Sequence, residues 1–242
     1  MILRYWAFVG LTLILTAVIG YGTYQTGRFL RTWHPPYNIL LTRDDNVVRI
    51  LLIALCIGLG LLSGLPFEQL GWTTAGVGTQ IGWGMVWGAL LAMLFYTTTR
   101  LLLAYTGQRF YSSVIIEHIL PRNRRELFLV SIVMGSVVLV EELLFRSLLI
   151  GGMTPLMTDW LLVLCVGLIF GVMHAPQGVW GVIGATLAGI LFGLLFLQAG
   201  SLIMPVVAHY LANMFQIGQA MRLKTDQAAE LPSANSESNG RS

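Results

Sequence analysis

From Trp160 to Met221 the chain runs for 62 residues without a single Asp, Glu, Lys or Arg. A water-soluble domain carries about 25% charged residues, so a run of this length has no counterpart on a solvated surface. A bilayer-crossing helix needs about 20 mostly apolar residues, and 62 accommodate three. The rest of the 242-residue chain agrees, with 56% hydrophobic and 10% charged residues and a mean hydropathy of +0.75. These values exclude soluble globular, disordered, collagenous and disulfide-rich secreted classes. They predict an all-α, polytopic transmembrane bundle in one domain over residues 1–221. The polar segment 222–242 has too little apolar surface to fold and is expected to be a disordered tail. Cys56 and Cys165 lie within apolar runs and read as packing residues.

Seven spans are expected. The first covers 6–19 and its flanks, and is read as retained because no small-residue cleavage site follows it. The others lie at about 47–65, 81–103, 126–150, 160–174, 179–197 and 201–218. Arg28, Arg31 and Arg43 follow the first span, Arg100, Arg109, Arg122, Arg124 and Arg125 cluster around the third-to-fourth loop, and Arg222 and Lys224 follow the last. Loops 66–80, 151–159 and 198–200 have no Lys or Arg. The positive-inside rule then places the N-terminus outside and the C-terminus in the cytoplasm of a cell (plasma) membrane protein. The net charge of +3 and pI near 9.1 reside in loops, with no basic face suited to nucleic acid.

Ionisable groups in hydrocarbon cost at least about 2.5–3.5 kcal/mol at a helix centre, so they face the bundle interior. The fourth span holds Glu141, Glu142 and Arg146. Glu142 and Arg146 are four apart with the acid first, the favoured order for a helical ion pair. Glu141 projects about 100° away and is left without a partner. Desolvation of an unpaired carboxylate suits a general base. His174 ends the fifth span one turn after Phe170, and His209 lies in the seventh with Asn213 one turn on. With turns near 156 and 199, Glu141 and His174 lie about 22 and 27 Å from the first turn, and His209 about 15 Å from the second. The four side chains can therefore converge within the bilayer. His34, His118, Glu117 and Glu126 fall in loops or at helix starts and are expected to be solvated. The stretch Gly71–Gly84 lacks the Lys of a phosphate loop and reads as loop and small-residue helix packing.

Glu141-Glu142-Leu-Leu-Phe-Arg146, Phe170-Gly-Val-Met-His174 and His209-Tyr-Leu-Ala-Asn213 resemble, in order, the Glu-Glu-x-x-x-Arg, Phe-x-x-x-His and His-x-x-x-Asn motifs of the CAAX-protease and bacteriocin-processing (CPBP, or Abi) intramembrane endopeptidases. The likeness spans about residues 126–217. It implies a CAAX-protease-like fold and hydrolysis of a peptide bond in a membrane-associated protein or peptide. Carried over by position, Glu141 and His174 would activate a water, and His209 and Asn213 would stabilise the oxyanion. Glu142, Arg146 and Phe170 would support the site. Zinc held by Glu141, His174 and His209 is the alternative, since two His and one Glu form a known ligand set. Glutamate-type catalysis without metal is favoured because no His-Glu-x-x-His helix is present and Asn is a poor zinc ligand. Two other functions are compatible with such a chain. One is a non-proteolytic immunity or scaffolding protein of the same family, and the other is a transporter or proton channel built on intramembrane Glu and His.

Overall fold

A computed structural model describes residues 2–107 and 112–238, with side chains described as far as Arg222. Among these residues every regular element is helical. The helices are α1 (Ile2–Thr32), α2 (Arg43–Ser63), α3 (Val77–Thr106), α4 (Val114–Ile119), α5 (Arg124–Glu142), α6 (Asp159–Met173), α7 (Gly178–Ala199) and α8 (Ile203–Ser238). Short 3-10 turns occupy Ile39–Leu41 and Ala175–Gln177. The expected tail 222–242 lies, apart from Arg222, beyond the side chains described, and Arg109 also falls outside the described residues.

Local sequence explains the ends. The Thr42 hydroxyl accepts the Asp45 amide at 3.3 Å to open α2, with Asp44 and Asp45 at the positive end of the helix dipole. Gly64, at φ 71°, closes it in the left-handed conformation that costs glycine little. At the start of α5 the Asn123 side chain accepts the Glu126 amide, while the Glu126 carboxylate accepts the Arg122 amide, both at 2.9 Å.

Five stretches are long and apolar enough to cross a membrane: Ile2–Thr32, Arg43–Ser63, Val77–Thr106, Arg124–Met153 and Ala175–Ala199. The chain is thus an integral membrane protein, although five spans meet that measure where seven are expected. The other two expected segments are helical as well. The fifth is the apolar α6, only 15 residues long. The seventh falls in α8, whose His209, Asn213, Gln216 and Gln219 lower its hydropathy.

Small residues set the helix spacing. A Cβ on Gly84 or Gly88 of α3 would lie 2.8 Å from the carbonyl oxygens of Met204 and Ala208 on α8, so these two backbones touch. Gly171 of α6 faces α7 in the same way, where an added Cβ would meet the Thr186 hydroxyl and, at 2.7 Å, the Val182 carbonyl. These contacts fix the two helices that carry His174 and His209.

Side chains and loops tie the helix ends into two sets. At one end, Arg4 donates to the carbonyls of Leu61 and Leu62, Gln69 Nε2 donates to Gly151 O at 3.2 Å, and Leu202 N donates to Gly71 O at 3.0 Å. At the other, Asn38 Nδ2 donates to Ile119 O at 2.8 Å, Ser112 N to Gln177 O at 3.0 Å, and Arg122 Nη1 to Pro36 O at 2.6 Å. This up-and-down order puts the arginine-bearing connections on one end and the loops without Lys or Arg on the other. His118, expected to be solvated, is instead 8% exposed on α4, with its ring 5.4 Å from that of His34.

Candidate active site

The polar residues of the fourth span sit where the helix changes form. After Glu142, residues Leu143–Ile150 continue as a π-helix, and a 3-10 turn, Gly151–Met153, ends it. All eight π-helical residues are buried. Wider winding of this kind recurs at functional positions because it re-aims side chains within a continuous rod. Here Ser147 Oγ donates to Leu70 O at 2.8 Å, and Arg146 turns into the core.

Glu142 and Arg146 are both fully buried, with Nη1 donating to Oε1 at 3.0 Å, as the four-residue spacing predicts. Arg146 Nη2 also donates to the Gly189 carbonyl on α7 at 3.2 Å. Three rings surround the guanidinium, with centroids 4.9 Å (Phe170), 5.2 Å (Phe192) and 5.8 Å (Phe145) from Cζ. An ion pair with donors and aromatic faces on several sides offsets much of the desolvation that makes a buried charge costly.

His209 joins this floor from α8. Its Nδ1–H donates to Glu142 Oε1 at 2.8 Å, so one carboxylate oxygen serves both the arginine and the histidine. Its Nε2 lies 3.4 Å from Glu141 Oε2. This corrects the expectation that Glu141 has no partner and is deeply desolvated, because the Glu141 side chain is 27% exposed. Exposure therefore rises from Glu142 and Arg146 at 0%, through His209 at 6%, to Glu141 at the open side.

His174 caps α6, where Pro176 and the 3-10 turn stop the helix. Its Nδ1–H donates to the Phe170 carbonyl at 2.7 Å, which leaves Nε2 as the free ring nitrogen. Phe170 links the two histidines, its centroid lying 4.5 Å from that of His174 and 5.9 Å from that of His209. Asn213 is one turn beyond His209, but its Nδ2 points to Met134 Sδ on α5 at 3.6 Å rather than to either carboxylate. Among the described residues, no group of three or more His, Cys, Asp and Glu side chains is arranged to hold a metal ion. The zinc set of Glu141, His174 and His209 is therefore not assembled.

Sequence reasoning missed the His209–Glu142 bond, the rings of Phe145 and Phe192, and Met134. The Phe145 and Phe192 positions carry no signal beyond apolarity, which a lipid-facing ring would share.

Fold and site together define an all-helical membrane protein with a buried ionic floor beneath a partly open carboxylate and histidine. The family model described as Rce1-like, type II CAAX prenyl endopeptidase, matches residues 123–215, a segment that contains all three motifs. The match agrees with the resemblance read from those motifs. No curated protein and no solved structure matches the chain.

Proposed function

We propose that the protein is a glutamate-type intramembrane endopeptidase that hydrolyses a peptide bond in a membrane-associated protein or peptide. The observation that carries this reading is the pair of differently placed carboxylates on one helix. Glu142 is locked to Arg146 and His209, while Glu141 is partly exposed with Oε2 at 3.4 Å from His209 Nε2. One acid is thus structural and the other free to exchange a proton. The family match at residues 123–215 supports the same activity.

In this mechanism a water bound between Glu141 and His174 Nε2 gives a proton to Glu141 as its oxygen attacks the scissile carbonyl carbon. The negative charge formed on the carbonyl oxygen is met by Nε2–H of His209 and Nδ2–H of Asn213. For this, Asn213 rotates away from Met134 when substrate enters. When the tetrahedral intermediate collapses, the C–N bond breaks and Glu141 passes its proton to the departing amine. The products are a carboxylic acid and an amine, the water's second proton then passing from the acid to the amine to leave a carboxylate and an ammonium, and the enzyme is restored. Phe170 walls the water site by packing on His174 and His209.

The same proposal has seven spans, with the arginine-bearing end of the bundle facing the cytoplasm and the site opening toward it. The test is cleavage by the purified protein in liposomes of a panel of membrane-tethered peptides, with new termini read by mass spectrometry. Wild type cuts at a defined bond and His174→Gln does not. Equal cutting by both would remove the assigned water site.

A further inference from the structure

One ring at the centre of the site comes from none of the three motifs. Phe192 of α7 is 1% exposed and stacks on the His209 imidazole, with centroids 4.7 Å apart and planes 22° from parallel. The Arg146 Cζ lies 5.2 Å from the same ring. Gly189, whose carbonyl accepts from Arg146, is three residues before Phe192 and so shares its helix face. A Cβ on the neighbouring Gly193 would be 3.1 Å from Ile150 and 3.2 Å from Val163, so α7 is pressed against the π-helical segment and α6 at this level.

We propose that Phe192 is a positioning residue that fixes the plane of His209, an inference that rests on the proteolytic reading above. The bond from Nδ1 to Glu142 sets where one ring nitrogen sits. It leaves the ring free to turn about that bond, and such a turn sweeps Nε2 away from Glu141. A flat ring stacked on the imidazole removes that freedom, and the edge-on contact with Phe170, at 79°, closes another side. Nε2 is thereby held at 3.4 Å from Glu141 before substrate arrives.

A displacement of about 1 Å in a reacting group can cost on the order of 100-fold in rate. In the full-length protein in liposomes, Phe192→Leu keeps the volume apolar and removes the flat face. Its kcat is expected to fall about 10- to 100-fold with KM within about twofold, and Phe192→Tyr, which keeps the ring, to stay within about threefold of wild type. An unchanged kcat in Phe192→Leu, a loss confined to KM, or equal impairment of the two variants overturns the proposal.

A second measurement needs no substitution at Phe192. The chain has four histidines, and labelling their ring Cε1 carbons gives four resonances, with His209 identified from His209→Gln. The wild-type His209 ring proton is expected upfield of that of the exposed His34 through the ring current of Phe192. A position at that of the exposed His34 refutes the stack. Cleavage with an unshifted His209 overturns the positioning role alone, whereas a shifted His209 in a protein that cuts nothing overturns the proteolytic reading instead.

Discussion

Replacing Arg146 by Met exposes how the floor of the site is balanced. Met fills much of the same volume, so the change chiefly removes charge and donors. The Arg146 and Glu142 side chains are both 0% exposed, and the variant loses the 3.0 Å bond to Glu142 together with the 3.2 Å bond that satisfies the Gly189 carbonyl. Removing one partner of a buried ion pair costs about 3–5 kcal/mol, because the remaining charge stays desolvated. His209 moderates the loss, since its Nδ1–H still donates to Glu142 at 2.8 Å. The expected destabilisation is therefore near about 3 kcal/mol, measured by reversible unfolding in mixed micelles. A double variant, Glu142→Gln with Arg146→Met, leaves no charge stranded and should be more stable than the single one by at least about 1 kcal/mol. A single variant within about 1 kcal/mol of wild type, or a double variant worse by the sum of both changes, would refute the account of a mutually dependent buried pair.

Other expectations follow from the same geometry. Asn213→Ala should lower kcat about 10²- to 10³-fold, as loss of an oxyanion donor does, with the unfolding midpoint little changed; a rate within a few-fold of wild type in the same cleavage assay would take Asn213 out of the reaction. Gly171→Val should reduce the yield of folded protein by separating α6 from α7, because its Cβ would lie 2.7 Å from the Val182 carbonyl, and it should cost about 3 kcal/mol or more on unfolding. Ser147→Ala should cost about 1–3 kcal/mol by orphaning the buried Leu70 carbonyl, read in the same unfolding assay.

The helices were legible in the sequence because hydrocarbon leaves an apolar chain few alternatives, and the expected limits fall within a few residues of most observed helix ends, although five stretches rather than seven are long and apolar enough to cross a membrane. The Glu142–Arg146 pair was legible too, since both residues lie on one helix at a spacing that forces neighbourhood. The partners of Glu141 and Glu142 on α8 were not, because His209 is 67 residues from Glu142 and only helix packing brings it there. Depth arithmetic placed the helices at compatible levels but could not give their rotation, which Gly84 and Gly88 set through close backbone contact with α8. The π-helix after Glu142 has no sequence mark in Leu143–Ile150, an apolar run that reads equally well as ordinary helix. Phe192 was hidden for the same reason, as one apolar residue in a helix made mostly of them. His118 was misjudged because its short helix turns inward beneath His34 instead of staying in water.

The central claim is that Glu141, and not Glu142, is the proton acceptor. Glu141→Gln keeps the shape of a side chain that is 27% exposed, so the protein should fold as wild type does. Cleavage of a membrane-tethered peptide, measured per folded molecule in liposomes, should drop at least about 10²-fold. Turnover by that variant at the wild-type rate would contradict the account.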